Sequence, residues 1–290
     1  MTEISAKLVK ELRDMTGAGM MECKKALSEA EGELDKAVDV LRTRGLAAAA
    51  KKAGRATNEG LIVARVADDA KSAALVEVNC ETDFVSRNEV FAALADKIAT
   101  AVLEDDPTDL EALNSLKVEG TTVQDLITEG IHTIGENIQV SRFERLSTAA
   151  GAFASYIHGG GRLGIVVQFD FNKPETAQSE VFKTVAKDIA MQVAAANPLA
   201  LSRESFSREL IEKEMDIYKA QAAESGKPEK IQEQIAAGRM KKFYKENALV
   251  EQAFIKDPDT TVAQVLEAAS KELGDTLSVA GFVRFELGGL

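Results

Sequence analysis

The chain has 290 residues, an apolar fraction of 45% and a formal net charge of −12, which predicts two or three domains with cores of their own. The acidic balance argues against nucleic acid as the main partner, because phosphate binding needs a basic surface. No apolar run reaches the ~20 residues of a membrane span, and the first ten residues lack a signal-peptide core. The two cysteines, Cys23 and Cys80, suit a reducing cytoplasm, and we expect both to be buried.

Residues 1 to about 54 predict three short helices in a compact bundle of the ubiquitin-associated type. Apolar residues recur there at helical spacing in three stretches, which are separated by glycine-containing breaks at 16–19, Gly32 and Gly45. The stretches contain Ile4, Leu8, Leu12 and Met15, then Met20, Cys23, Leu27 and Ala30, then Leu34, Val38 and Leu41. We interpret residues 46–54 as a linker, for which a helix is one option because alanine favours helix. Met21 lies off the second stretch and is either a contact residue or an ordinary surface methionine.

From Gly60 onward the sequence repeats at a constant offset of 91. Gly60 matches Gly151, residues 75–78 match 166–169, and residues 90–99 match 181–190 without a gap. Each copy predicts strand, turn, strand and helix, and each ends on a strand that contains the tripeptide Arg-Phe-Glu, at 142–144 and 284–286. Because the second tripeptide comes later than the offset of 91 would place it, the second copy should carry an insertion, which we put at about 51 residues.

The extra residues, roughly 204–245, predict an antiparallel helical hairpin. The first helix has apolar residues at helical spacing: Phe206, Leu210, Ile211, Ile217 and Tyr218. Gly226 and Pro228 then mark a helix stop and a helix start, and the return helix should turn Ile231 and Ile235 back toward the first. Since the hairpin interrupts a repeat, we expect it to protrude from the second copy and to be dispensable for folding of the core.

The junction between the strand at 73–80 and the following helix predicts a capped helix start. Ser86 and Glu89 fit a capping box, in which Ser86 is the N-cap. Val85 and Val90 then occupy the two positions of a hydrophobic staple. The residues before them must form a strand-to-helix corner.

Thr82, Asp83 and Phe84 occupy that corner. The matching residues of the second copy, 173–176, read Lys-Pro-Glu-Thr, so the acidic and aromatic pair is not duplicated with the scaffold. Two interpretations are open at this point. Phe84 folds back into the core, or Asp83 and Phe84 form a tip that enters a site on another protein.

Catalytic and metal-binding patterns are lacking. His132 and His158 have no metal-ligand spacing with the cysteines. Residues 159–164 match G-x-G-x-x-G, but a dinucleotide loop follows a strand and opens a helix, whereas here a strand follows. A glycine-rich hairpin turn is the better interpretation.

Taken together, the sequence closely resembles the elongation factor Ts family, the guanine-nucleotide exchange factors of bacterial translation. The resemblance covers almost the whole chain and is carried by LVKELR at 8–13, TGAGMM at 16–21 with CKKAL at 23–27, VNCETDFV at 78–85 and GRMKKF at 238–243. It implies an α+β fold with a ubiquitin-associated-like helical domain and linker at 1–54, and a duplicated antiparallel-sheet-plus-helix core. The core comprises an N-subdomain at 55–148 and a C-subdomain at 149–290, with the helical hairpin inserted at about 204–245.

The resemblance also implies a mechanism, which is partner binding rather than enzymatic catalysis. Members bind elongation factor Tu carrying GDP, disturb its magnesium and phosphate site, and so promote GDP release. The residues that the resemblance places against the magnesium and phosphate site of the partner are Thr82, Asp83, Phe84 and Val85. Those that it implies dock the N-terminal domain are Arg13, Met20 and Met21. It also implies a weaker contact of the C-subdomain, through His158 and Gly159. GDP, GTP and magnesium belong to the partner, so no cofactor is expected. Direct nucleic-acid and membrane contacts are not expected either.

Three questions stay open at the level of sequence. The hairpin mediates self-association in some members, and the sequence does not decide between monomer and homodimer. An adaptor whose N-terminal bundle binds ubiquitin-like or nascent-chain partners predicts that residues 1–54 alone bind the main partner. A nucleotide-dependent enzyme using residues 159–164 predicts that the isolated protein binds nucleotide.

Overall fold

A computed structural model describes residues 4–16 and 18–289 of the chain. Gly17, in the predicted break after the first helix, lies outside the described residues. The N-terminal part contains three helices, α1 (Ala6–Thr16), α2 (Met20–Glu29) and α3 (Leu34–Lys52). Their apolar faces meet in a cluster of their own, which includes Leu12, Cys23, Leu27, Ala37 and Leu41. The three predicted apolar stretches are therefore helices that pack together.

The first copy of the repeat is a three-stranded antiparallel sheet in the order β1-β2-β5 with helices on one face. Its elements are β1 (Glu59–Val66), β2 (Ser72–Cys80), α4 (Asp83–Ser86), α5 (Glu89–Asp105), α6 (Leu110–Ser115), β3 (Lys117–Val118), β4 (Thr121–Thr122), α7 (Val123–Ile134) and β5 (Gln139–Ser147). Strands β3 and β4 form a separate small hairpin. The main core lies between β2, α5 and α7.

The second copy has the same plan, with a sheet in the order β10-β7-β6. Its elements are β6 (Ala152–His158), β7 (Leu163–Asp170), a 3-10 turn (Pro174–Gln178), α8 (Glu180–Ala196), a 3-10 turn (Arg203–Ser205), α9 (Arg208–Ala223), α10 (Glu229–Asn247), a 3-10 turn (Leu249–Glu251), β8 (Ala253–Phe254), β9 (Asp257–Thr261), α11 (Val262–Leu273) and β10 (Ser278–Glu286). The chain is thus a mixed α and β protein with antiparallel sheets, as predicted.

The repeat at an offset of 91 is confirmed by backbone geometry as well as by element order. Helix α5 spans Glu89–Asp105 and helix α8 spans Glu180–Ala196, so both of their ends follow this offset. Gly60 and Gly151 have φ values of +154° and +75°. A Cβ at Gly60 would lie 2.2 Å from the carbonyl oxygen of Val78, and one at Gly151 would lie 1.8 Å from that of Phe169. Glycine is required at both positions because neighbouring backbone occupies the space of a side chain.

The end of each copy follows a different register from the one that the tripeptides predicted. Helices α7 and α11 begin at Val123 and Val262. Phe143 pairs with Val76, and Phe282 pairs with Val167, the residue equivalent to Val76 in the second copy. Phe143 and Phe282 are therefore equivalent, and they are as far apart along the chain as the starts of α7 and α11. The two Arg-Phe-Glu tripeptides do lie on β5 and β10, but they are shifted by three positions from this alignment and face opposite sides. The insertion is therefore three positions shorter than predicted, and its predicted length is wrong.

The third helix is longer than predicted. Gly45 does not end it, and residues 46–52 are helical, which is the form that the alanine run favours. A Cβ at Gly45 would lie 3.6 Å from Thr128 Cγ2 and 3.8 Å from His132 Cβ, both on α7. The small residue brings α3 against α7, and the alanine run after it favours helix. The helix continues because this packing outweighs the low helix propensity of one glycine.

Helices α9 and α10 form the predicted antiparallel hairpin. At its base, the Phe206 ring lies 5.3 Å from that of Phe243, and the amides of Leu199 and Ala200 donate to the carbonyl of Asn247. Ile231 is exposed, so the prediction that it faces back is wrong. The buried positions of α10 are instead Ala236, Met240 and Phe243. Among the described residues, no helix combines the length and apolarity needed to cross a bilayer.

Candidate functional site

The corner after β2 presents a phenylalanine to solvent. Thr82 to Ser86 form a single helical turn, in which the Ser86 amide donates to the Thr82 carbonyl. On this turn Phe84 is 84% exposed, the highest value among the exposed large apolar side chains of the described residues. Its neighbour Val85 points the other way and packs into the first core. The interpretation of Phe84 as a core residue is therefore wrong.

The predicted capping box is also wrong. The N-cap of α5 is Asn88, whose Oδ1 accepts a hydrogen bond of 2.8 Å from the amide of Val90. Ser86 instead ends α4, where its hydroxyl donates to the carbonyl of Asp83. Val90 is exposed, so it makes no hydrophobic staple with Val85. A capping box at Ser86 would require a helix that begins directly after it. Ser86 instead belongs to α4, and α5 begins only at Glu89.

The carboxylate of Glu136 holds the backbone of the corner in place. Glu136, just after α7, accepts hydrogen bonds of 3.0 Å from the amides of Glu81 and Thr82, and one of 2.6 Å from the Thr82 hydroxyl. In return, Glu81 accepts a hydrogen bond of 2.6 Å from the amide of Asn137. Hydrogen bonds to a charged acceptor are stronger than neutral ones. This reciprocal pair fixes the backbone that carries Phe84.

The second copy holds its own corner in the same way. Asp275 accepts hydrogen bonds of 3.2 and 2.9 Å from the amides of Asn172 and Lys173, and one of 2.7 Å from the Thr176 hydroxyl. Partial desolvation alone would raise the pKa of Asp275, but these hydrogen bonds outweigh it and lower the pKa to about 2. The brace of the corner is therefore duplicated, although the acidic and aromatic tip is not.

Sequence reasoning missed Glu136. Superposing the start of α7 on the start of α11 would have found it, since this alignment places Glu136 on Asp275, each immediately after a glycine that ends a helix, Gly135 or Gly274. Neither the offset of 91 nor the alignment of the Arg-Phe-Glu tripeptides places these two residues together.

Asp83 is paired within the chain. Its Oδ2 lies 3.0 Å from Arg87 Nη2, one turn along, and its side chain is about half exposed. The carboxylate is thus accessible from solvent while a flexible, exposed arginine screens it. Such a surface pair is weak, so Asp83 can exchange Arg87 for another cation at small cost.

The predicted docking residues of the N-terminal helices are accessible. Met20 and Met21, in the first turn of α2, are 57% and 66% exposed, and Arg13 is exposed in the last turn of α1. The corner and the start of α2 are both held by the end of α7. Glu136 follows α7 directly, and Glu22 of α2 contacts His132 on its last turn.

The third predicted group lies on the second copy. His158 is exposed at the end of β6, with its Nδ1 3.0 Å from the Tyr156 hydroxyl. Gly159 opens the turn to β7 with a φ of +60°. This turn rests on β1, where the Ile62 amide donates to the Gly161 carbonyl at 2.7 Å. The next residue, Arg162, donates to Glu59 at the start of β1 at 2.7 Å, and Glu59 pairs with Cys80 just before the corner.

The glycine-rich segment is a hairpin turn, as predicted. Residues 159–161 join β6 to β7, and no helix follows them. A Cβ at Gly164 would lie 2.4 Å from Ile62 Cγ2, so this glycine serves the packing of the two sheets. The motif therefore reflects close packing rather than a phosphate cradle.

Neither cysteine is disposed to react, and the described residues contain no group of three or more potential metal ligands. Cys23 and Cys80 are both buried and are not joined in a disulfide. Burial, with a smaller contribution from Glu136, raises the pKa of Cys80 to about 12. The thiolate, which is the reactive form, is therefore scarce near neutral pH.

Comparison with known proteins gives a consistent result. A sequence model described as Elongation factor TS matches residues 81–289. Elongation factor Ts of Clostridium perfringens is 50% identical over 286 residues, which cover 98% of this chain and 93% of that protein. Elongation factor Ts of Clostridium kluyveri is 48% identical over 288 residues, with coverage of 98% and 93%. Elongation factor Ts of Clostridium botulinum is 49% identical over 286 residues, with the same coverage.

Proposed function

The chain belongs to the elongation factor Ts family, and from this membership we propose that it is a guanine-nucleotide exchange factor. On this proposal it binds elongation factor Tu·GDP, disturbs the magnesium and phosphate site of that protein, and promotes GDP release during translation elongation. The chain acts by binding, and no catalytic residue is assigned to it.

The exposed Phe84 on a braced corner is the observation that carries the proposal. A phenylalanine that is 84% exposed does not stabilise the free protein. The corner below it is nevertheless fixed by Glu136 through three hydrogen bonds. A preorganised tip inserts into a partner without the entropic cost of ordering a loop. The corner is thus built to place an aromatic side chain into a neighbouring protein.

Asp83 supplies charge beside the inserted ring. On binding, its carboxylate would leave Arg87, 3.0 Å away, and approach the magnesium and phosphate site. Oxygen ligands attract magnesium, while a negative charge repels phosphate oxygens. Both effects weaken the hold of the partner on GDP. Thr82 supports this tip through its bonds to Glu136, and Val85 anchors it in the first core.

Two further surfaces would secure the complex. Arg13, Met20 and Met21 present two flexible thioethers and a guanidinium on the N-terminal helices, a combination that suits docking on a helix of the GTPase. His158 and Gly159 offer a weaker contact on the second copy. Exchange then follows from thermodynamic linkage: a protein that binds nucleotide-free Tu more tightly than Tu·GDP weakens GDP binding by the same factor.

The test is release of a fluorescent GDP analogue from purified Tu, measured with and without substoichiometric amounts of this protein. We expect strong acceleration with multiple turnovers. No acceleration would refute the proposal. Titration of the isolated protein with GDP and GTP is the control, and we expect no binding at micromolar concentrations, since residues 159–161 form a hairpin turn. Micromolar binding would instead favour a nucleotide-dependent enzyme.

A further inference from the structure

One end of helix α7 touches both of the surfaces proposed to contact the partner. On its last turn, His132 Nε2 lies 2.9 Å from Glu22 Oε2, and Glu22 directly follows Met21 in the first turn of α2. Four residues beyond His132, Glu136 holds the corner that carries Phe84. A single helix end therefore determines where each surface lies.

The contact at His132 is enclosed. The histidine side chain is 7% exposed, whereas that of Glu22 is 48% exposed. Among the described residues, His132 Nε2 has no aligned hydrogen-bond partner, so its contact with Glu22 is an ion-pair contact when the imidazole is protonated. Gly45 of α3 packs beside the base of this side chain, since a Cβ there would lie 3.8 Å from His132 Cβ. The imidazole thus lies where α2, α3 and α7 meet.

Other contacts hold the N-terminal helices along α7. The Arg42 guanidinium donates two hydrogen bonds, of 2.9 and 2.8 Å, to the carboxylate of Asp125 in the first turn of α7. Lys52 Nζ donates to the carbonyl of Ile131 at 3.2 Å. These contacts all come from α3. His132, in contrast, contacts α2 through Glu22, and α2 is the helix that carries both exposed methionines.

We propose that His132 and Glu136 are positioning residues, which set the spacing between the methionine surface of α2 and the Phe84 corner. The proposal rests on the proposed function. It adds an explanation of how the methionine surface and the Phe84 corner bind one partner at the same time. When two contacts are held at the right spacing, the second forms at high effective concentration after the first. Loosening α2 from α7 should therefore weaken binding of the partner. The rate of GDP release from the bound partner should stay the same, because the Phe84 corner is unchanged.

Exchange kinetics separate these two effects. The variants are Glu22→Ala, His132→Ala and the double substitution, and the readouts are the half-saturating concentration and the saturated rate of GDP release. We expect each single variant to raise half-saturation roughly fivefold, as for loss of one partly exposed side-chain contact, with the saturated rate unchanged. The double variant should be no worse than His132→Ala, because both changes break the same contact.

Two further variants control for general destabilisation. Glu29→Ala removes another glutamate of α2, whose carboxylate pairs with Arg44 inside the N-terminal bundle, and should leave half-saturation unchanged. His132→Gln keeps a polar side chain of similar length against Glu22 and should recover part of the loss. If His132→Ala fails to fold, Glu22→Ala still decides, because Glu22 lies at the surface. Wild-type half-saturation in Glu22→Ala would overturn the proposal.

A distance measurement tests positioning without relying on exchange. Spin labels at Met21→Cys and Phe84→Cys report the spacing of the two surfaces in the free protein, while the buried native cysteines stay unlabelled. We expect a narrow distance distribution that broadens with Glu22→Ala and with His132→Ala. An unchanged distribution in both would overturn the positioning role. If the wild-type protein fails to accelerate GDP release, the proposed function falls, and this measurement alone still decides whether His132 positions α2.

Discussion

Truncation of Phe84 to alanine should slow catalysed GDP release far more than it affects folding. Because the ring is 84% exposed, its removal leaves no cavity, and the free energy of unfolding should change by less than about 0.5 kcal/mol. In the complex the same ring would be a buried aromatic anchor, worth on the order of 2–4 kcal/mol. At ~1.4 kcal/mol per tenfold, release should slow roughly thirty-fold to several hundred-fold.

Stopped-flow release of a fluorescent GDP analogue from Tu, measured beside thermal melts, tests this expectation. Leu199→Ala is the matched control, because it removes another exposed apolar side chain far along the chain, and both release and melting should stay at wild-type values. Asp83→Ala should slow release less than Phe84→Ala, since Asp83 is screened and paired with Arg87. Wild-type release by Phe84→Ala, together with a lowered melting temperature, would refute the assignment of Phe84 to the partner.

Three further outcomes follow from the corner and the insertion. Glu136→Gln removes the negative charge and one acceptor oxygen from a side chain that accepts three hydrogen bonds. It should cost about 1–3 kcal/mol of stability and speed amide exchange at Thr82, and unchanged exchange there would contradict the brace. The pKa of Asp275 in the folded protein, about 2, lies below its ordinary value of ~3.9. Its carboxylate therefore stabilises the fold above about pH 4, and this contribution is lost as the pH falls toward 2. The free energy of unfolding in urea, measured between about pH 2 and 5, should depend less on pH in Asp275→Asn than in the wild-type protein. Replacing residues 204–245 by a short linker should leave one cooperative unfolding transition, and loss of folded protein would show that the hairpin supports the core.

At their corners, the two copies of the repeat share the brace and differ in the side chains of the tip. Both have the glycine against a neighbouring strand, at Gly60 and Gly151, and both have a carboxylate under the corner, at Glu136 and Asp275. A scaffold duplicated in this detail provides two equivalent corners. That Phe84 stands on only one of them supports a role outside folding.

Local patterns determined much of this structure. The apolar spacing of residues 4–41 predicted three helices, and the offset of 91 predicted two equivalent strand-and-helix units. The glycine-rich segment was recognised as a turn because a strand follows it. These features depend on residues close together in the chain, whose periodicity and turn chemistry act before distant parts meet.

Tertiary contacts decided the rest. Gly45 stays within a helix because α7 packs against it, and Ser86 fails as a cap because the corner forms its own turn. The backbone that leads to Phe84 is held by Glu136, which lies far along the chain from Thr82. Sequence spacing cannot reveal such a bond, because the donor and the acceptor come together only when β5, the strand after α7, pairs with β2. The residues of the tip could be read in the sequence, and the brace that makes them a rigid contact surface could not.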